Sequence, residues 1–171
     1  FYEPGGNYWE IESYEHAVEY GMGKTTNPHW TKLLAAELFT GKGYVPQALT
    51  HGTLENDDLA ASERFYKEAL GLEVVKLWPS SCYIKHPDTP WYIVCIQAQN
   101  PNRPRLSRYQ RFTIALDSTK TVHDAHREFT ANHERWHLRE LETISESNDS
   151  ASFLFADLNG NWWEINSDRS L

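Results

Sequence analysis

The sequence contains few cysteines, no long apolar segment and no signal-peptide pattern. Only two of its 171 residues are cysteines, Cys82 and Cys95, and their spacing matches no metal-binding motif. A disulfide framework is therefore not expected, which favours a cytoplasmic protein. No apolar run approaches the roughly 20 residues of a membrane span, and the start of the chain lacks the pattern of a signal peptide.

Positive charge is also scarce. The chain carries 16 Lys and Arg against 24 Asp and Glu, so its formal net charge is −8. A nucleic-acid-binding protein is expected to carry a clustered basic surface, and this composition argues against such a partner. Apolar residues make up 40% of the chain and aromatic residues 13%. This content predicts a globular protein with one sizeable core.

A long-range repeat is the most informative feature that is present. The segment GGNYWEIES at 5–13 returns near the other end of the chain as GNWWEINS at 160–167. Matched residues such as Glu10 and Glu164 lie 154 positions apart, which is about the size of one domain. We interpret residues 1–46 as the terminal strand of a preceding domain plus a connector helix, and residues 47–171 as a complete domain. We also expect that a portion of the parent protein precedes Phe1.

The N-terminal segment is expected to pair with another element. Residues 8–12 are typical of a strand, and a strand without a neighbour exposes backbone groups that promote aggregation. Residues 27–40 are typical of an amphipathic helix that begins at Asn27 and covers apolar surface. We predict that the strand docks on a sheet edge, either its own or a partner's, and that the protein is a homodimer.

Residues 47–171 contain a second, shorter repeat. Each half has the order strand, helix, strand, strand, strand, in modules of about 47–100 and 108–171. Aligning the halves sets Leu54 on Leu116 and, with the same offset of 62, His51 on Thr113. The predicted fold class is α+β, with paired βαβββ modules forming a cupped mixed sheet behind the strand-plus-helix segment. The second strand of the second module is predicted over 136–143.

This organisation resembles the vicinal oxygen chelate superfamily, which includes glyoxalases, bleomycin and fosfomycin resistance proteins and extradiol dioxygenases. The resemblance lies in the run H-x-x-L…FY-x-x-x-LGL at His51–Leu72 and the closing F-x-x-D-x-x-GN-x-x-E at Phe153–Glu164. It implies a cup in which the first and last strands of the modules hold a divalent metal, Fe(II), Zn(II), Mn(II) or Ni(II). The implied ligands in this chain are His51 and Glu164.

Three positions depart from the pattern that the resemblance implies. Thr113 stands where the second module would offer a histidine, and a neutral hydroxyl is a poor substitute for imidazole. On the last strand of the first module, the nearest polar candidates for the remaining ligand are Gln97 and Cys95. Glu146 stands where extradiol enzymes carry a pocket histidine, and it is a candidate catalytic proton carrier if burial raises its pKa.

Two functions are consistent with these residues. The first is a metal-dependent enzyme, extradiol dioxygenase-like or glyoxalase-like, that acts on a small substrate with neighbouring oxygen atoms. The second is a metal-free small-molecule binding protein similar to bleomycin-resistance proteins, in which an aromatic cup binds its ligand by burial and stacking. In both, the side chains predicted to line the pocket are Tyr83, Trp91, Phe112, Thr113 and Phe153.

Overall fold

The computed structural model describes residues 4, 51–87, 89 and 92–167. The predicted strand and helix of residues 1–46 lie outside the described residues, and so does Trp91. In chain order, the described residues form β1 (His51–Asn56), α1 (Leu59–Glu68), β2 (Glu73–Trp78), β3 (Ser81–Lys85), β4 (Tyr92–Gln97), β5 (Arg111–Ala115), α2 (Thr119–Ala131), β6 (Glu140–Leu141), β7 (Ser145–Glu146), β8 (Ala151–Ala156) and β9 (Trp162–Asn166). The predicted α+β class with two βαβββ modules is confirmed.

Each module forms its own mixed sheet. The first sheet has the strand order β1-β4-β3-β2, and the second has the order β5-β9-β8-β6, with β7 also paired to β8. In both sheets the first strand of the module pairs in parallel with its last strand, whereas the other pairings are antiparallel. The two halves of the domain therefore share one topology.

The helix boundaries follow from local capping. Asp58 begins α1, since its side chain accepts a hydrogen bond from the backbone N–H of Ala61 at 2.9 Å. Gly71, with a φ of 65°, follows the end of this helix in the left-handed conformation that glycine tolerates best. Helix α2 begins at Thr119, directly after Ser118, whose side chain forms a capping box with Thr121. Of the two described helices, neither is long and apolar enough to cross a membrane.

Helix α1 lies where the two modules meet and joins their cores. The Phe65 ring contacts the rings of Trp136 and Phe155, at centroid distances of 6.3 and 6.2 Å. The neighbouring Tyr66 contacts Trp163 of β9 at 5.7 Å. Burying aromatic side chains of this size stabilises a fold by roughly 1.5–3 kcal/mol each. The modules are consequently held by one continuous apolar core.

A buried polar network crosses the same junction. Asp157, in the turn between β8 and β9, is fully buried, and its carboxylate accepts the backbone N–H groups of Asn159 at 2.8 Å and Asn161 at 3.0 Å. It also accepts the indole N–H of Trp163 at 3.2 Å. The Asn159 amide then donates to Asn56, at the end of β1, at 2.9 Å. The turn of the second module is thereby bonded to the first module.

Asp57 forms a second connection, which is partly exposed. Its carboxylate pairs with Arg103 and Arg105 of the loop between the modules, and with Arg139 of the second module at 3.2 Å. Burial alone raises the pKa of Asp57, but the hydrogen bonds and charges of Arg103 and Arg105 outweigh it and hold that pKa below its ordinary value. The connection therefore depends on an ionised Asp57.

The strand predicted over 136–143 is shorter than expected. Within that range only the two residues of β6 pair with β8, and a second two-residue strand, β7, pairs with β8 farther along the chain. Trp136 is buried against Phe129 at a ring distance of 4.9 Å, and the next residue, His137, has a φ of 51°. Packing of Trp136 beneath α2 turns the chain, so extended pairing begins only at Glu140.

Candidate functional site

The predicted ligands lie on the faces of the two sheets that point away from the helices, which we call the distal faces. On β1, Leu54 and Asn56 are buried, so strand alternation puts His51 on the distal face. On β9, Trp163 is buried in the core, and alternation likewise puts Glu164 on the distal face. The two residues named as ligands thus belong to corresponding faces of the two sheets.

Strands β1 and β5 are edge strands of the two sheets, and a side chain of β5 reaches β1 at a place that we call the seam. A Cβ atom added to Gly52 would lie 3.4 Å from the tip of the Phe112 ring, so this ring packs against the backbone of β1. Gly52 and Phe112 both face the helix side. Their sequence neighbours His51 and Thr113 therefore lie beside the seam on the distal faces.

Glu164 is the centre of a polar cluster. Its Oε2 atom accepts hydrogen bonds from Arg111 Nε at 2.8 Å and from Thr113 Oγ1 at 3.1 Å. Asn166 donates to the other carboxylate oxygen at 3.4 Å. The side chain of Glu164 is only 12% exposed, whereas that of Arg111 is 32% exposed, so the carboxylate is largely buried and its guanidinium partner remains in contact with water. We call Arg111, Thr113, Glu164 and Asn166 the Glu164 cluster.

Arg111 was not among the residues that the sequence pointed to. It lies two positions before Thr113 on β5, and side chains two apart on a strand share one face. That spacing was readable from the sequence. What the sequence does not contain is the parallel register, which sets Thr113 directly beside Glu164 and brings Arg111 within reach.

The distal face of the first sheet is aromatic. His51 and Tyr92 stack with centroids 5.1 Å apart and an interplanar angle of 20°. Tyr92 meets Tyr83 edge-on at 5.0 Å, and Tyr83 meets Trp78 at 6.5 Å. These four rings, which we call the aromatic row, cross strands β1, β4, β3 and β2. The row ends with His51 beside the seam.

The strand register identifies Tyr92 as the counterpart of Glu164. His51 is paired with Tyr92 on β4 as Thr113 is paired with Glu164 on β9. Gln97, the predicted weak ligand, lies an odd number of positions from Tyr92 and therefore faces the helix side. Its amide donates to the carbonyl of Asp57 at 2.7 Å and accepts the N–H of Leu59 at 3.2 Å. These contacts favour a structural role for Gln97 at the start of α1. The assignment of Gln97 as a metal ligand stays a prediction.

The other predicted site residues are divided between the two faces. Tyr83 belongs to the aromatic row and Thr113 to the Glu164 cluster. Phe153 is buried beneath α2, 5.6 Å from the Phe129 ring. Phe112 also faces the helix side, and its ring lies 5.6 Å from that of Trp163.

Two further candidates lie on the helix side. Glu146 is bonded to His123 of α2, so it lies on the side of the second sheet away from Glu164. Cys95, the other candidate on β4, is fully buried beside Cys82, and both thiols are free.

As folded, the described donor set does not fit a divalent metal. Among residues 51–87 and 92–167, no three His, Cys, Asp or Glu side chains converge as a metal site would require. The Oε2 atom of Glu164 already accepts two hydrogen bonds, and the Arg111 guanidinium beside it repels a cation. Glu164 would have to exchange Arg111 for an ion before it could act with His51.

Comparison with known proteins identifies the family. The model of the Glyoxalase/Bleomycin resistance protein/Dioxygenase superfamily matches residues 48–165, and the chain belongs to this superfamily. No curated protein matches the chain.

Solved structures share the fold. Lactoylglutathione lyase from Agrobacterium tumefaciens is 23% identical, with 71% of this chain and 94% of that chain covered and a TM-score of 0.53. The fosfomycin resistance protein FosX from Listeria monocytogenes is 14% identical, with coverages of 72% and 95% and a TM-score of 0.58. A possible glyoxalase from Bacillus cereus is 12% identical, with coverages of 70% and 98% and a TM-score of 0.57.

Proposed function

We propose that this superfamily member binds a small planar organic molecule on its distal faces, between the aromatic row and the Glu164 cluster, without using a metal. The observation that carries this proposal is the ion pair of Glu164 with Arg111, supported by Thr113. In a metal-dependent relative that carboxylate would serve as a ligand, whereas here a guanidinium is bonded to it.

The two faces offer complementary contacts to such a ligand. Tyr92, stacked on His51, provides a flat apolar surface beside the seam. Across the seam, Glu164 Oε1 has one long hydrogen bond, from Asn166 at 3.4 Å, and retains capacity to accept another. An aromatic ligand that carries a hydroxyl or amino group would stack on Tyr92 and donate a hydrogen bond to Glu164 Oε1. Ligand sites commonly combine apolar walls with a few such polar groups.

The test is a binding screen on the full chain by saturation-transfer NMR, followed by calorimetry. We expect phenols and aminoarenes to bind, and cyclohexanols of the same size to bind more weakly. Glu164→Gln should weaken the best compound at least about tenfold, since hydrogen bonds to charged groups contribute roughly 1.5–3 kcal/mol. Glu68→Gln is the matched control, because Glu68 also pairs with an arginine, Arg135, at 3.0 Å on the outside of α1. Equal binding by the two variants would contradict the proposal.

A metal-dependent enzyme is the second candidate. It is favoured by His51 and Glu164, which the family pattern implies as ligands and which lie on the distal faces of the first and last strands. These two residues would hold the ion, which would supply Lewis-acid chemistry. Elemental analysis of natively purified protein separates the candidates. One metal per chain that Glu164→Gln removes and Glu68→Gln retains would favour the enzyme.

A further inference from the structure

We propose that Arg111 makes the distal-face site selective for a planar ligand that carries a carboxylate in addition to its hydroxyl or amino group. This inference rests on the proposed function, because it names the class of ligand that the same site takes. Arg111 lies on the same face of the second sheet as Glu164 and is bonded to it. A ligand that donates to Glu164 therefore lies close to the Arg111 guanidinium.

The guanidinium of Arg111 is only partly used within the fold. Its Nε atom donates to Glu164 Oε2 at 2.8 Å, and neither Nη atom makes a hydrogen bond to any residue that the structure describes. The side chain is 32% exposed, so it remains in contact with water. In the described part of the chain, all other arginines that form ion pairs bond through at least one Nη atom: Arg103, Arg105, Arg108, Arg127, Arg135 and Arg139.

The chemistry of these remaining donors favours a carboxylate. The two Nη atoms of a guanidinium present parallel N–H groups whose spacing matches the two oxygens of a carboxylate. Such charge-assisted pairs are about twice as strong as hydrogen bonds between neutral groups. Because Glu164 is bonded at Nε, a carboxylate at the Nη atoms has the positive guanidinium between itself and Glu164. Arg111 then attracts both anions and separates their charges.

One substituted ring can reach both parts of the Glu164 cluster. The Oε1 atom of Glu164 has capacity to accept a hydrogen bond, and the neighbouring Oε2 atom is the one bonded to Arg111. The open acceptor and the unbonded donors thus belong to one bonded pair of side chains. In 3-hydroxybenzoate the hydroxyl is too far from its own carboxylate to bond to it, so the hydroxyl can donate to Glu164 while the carboxylate accepts from Arg111.

The test compares 3-hydroxybenzoate with 3-hydroxybenzamide, its uncharged counterpart, by calorimetry on the full chain. The carboxylate should bind about tenfold more tightly than the amide, as one charge-assisted pair implies. Arg111→Gln should reduce this ratio of affinities to one or below, because Glu164 then repels the carboxylate. Arg111→Lys retains the charge without the planar fork and should give an intermediate ratio. A ratio within one protein is independent of any general loss of affinity in that variant.

Arg108→Gln is the matched control. The Arg108 guanidinium lies 6.0 Å from the centroid of the Trp162 ring, which shares the distal face with Glu164, but both of its Nη atoms are bonded to Glu142, at 2.9 and 3.0 Å. The variant therefore removes a charge from the same face without removing unbonded donors, and it should leave the ratio unchanged.

The outcomes distinguish this inference from the proposed function. Equal affinity of the original protein for 3-hydroxybenzoate and 3-hydroxybenzamide would overturn the selectivity, and the proposed function would stand as long as phenol binds. An equal fall of the ratio in Arg111→Gln and Arg108→Gln would also overturn it, because the net charge of the face would then be the cause. Absence of phenol binding would contradict the proposed function, and this inference with it.

Discussion

The two modules have the same topology but different chemistry at corresponding positions. In the first module, the parallel pair beside the seam is His51 and Tyr92; in the second it is Thr113 and Glu164. One pair is an imidazole stacked on a phenol, and the other is a hydroxyl bonded to a carboxylate. A metal site shared between the modules would need matching donors from both pairs.

This difference shows which positions a duplicated fold holds constant. The helix-facing Leu54 and its counterpart Leu116 are apolar in both halves, because the core depends on them. Positions on the distal faces contribute less to the core, so their residue types can change while the sheets remain. Shared ancestry therefore predicts the scaffold of this protein better than its chemistry.

The largest expected effect concerns the junction that the two modules share. Asp157→Ala should lower the free energy of unfolding by about 3 kcal/mol, because it leaves buried N–H donors, including that of Trp163, without a partner. Urea denaturation measures the change. Asp124→Ala, which removes an exposed carboxylate of α2, should leave the midpoint almost unchanged. A similar midpoint shift in both variants would show that the network does not join the modules.

Replacing Thr113 would make the two modules more alike. Thr113→His should strengthen Zn(II) binding at least about tenfold, because imidazole is a much better donor than a hydroxyl beside Glu164. Titration of Zn(II) into both proteins with a competing chelator checks this. Binding to the original protein should be weak and lost on dialysis against the chelator. Equal, tight binding by both proteins would mean that the third ligand lies elsewhere.

A smaller effect is expected at the second connection between the modules. Asp57 has a lowered pKa in the fold, so its contribution to stability is present above the unfolded value of about 3.9 and is lost as pH falls through the folded value. Asp57→Asn should lower the free energy of unfolding by about 1 kcal/mol at pH 6, a partly exposed ion-pair effect. The gap between the two proteins should close toward pH 2. A gap independent of pH would rule out the charge as its cause.

The smallest predicted effect is a loss of stability at Gln97, and it tests whether this residue is structural or a metal ligand. Gln97→Ala should cost about 1 kcal/mol of stability, because the backbone N–H of Leu59 loses its bond at the start of α1. It should leave metal binding unchanged, both in the original protein and in Thr113→His. Metal binding that falls with Gln97→Ala would restore this residue as a ligand.

The repeated patterns of the sequence were enough to predict the fold. Alternating and helical apolar spacing predicted the two βαβββ modules, since these signals are local. The strand predicted over 136–143 begins only at Glu140, because the burial of Trp136 against Phe129 is a tertiary contact that no local pattern encodes. The motif GN-x-x-E was sufficient to single out Glu164 as a candidate.

Only the tertiary structure decided what surrounds that candidate. The parallel register, which no local pattern encodes, sets Thr113 beside Glu164 and brings Arg111 to the same carboxylate. The same register puts Tyr92 where Gln97 was expected, because a strand side chain changes face with every residue. Sequence periodicity determined which elements form and which of their faces are buried. Pairing between distant strands determined which side chains meet, and with them the chemistry available to the site.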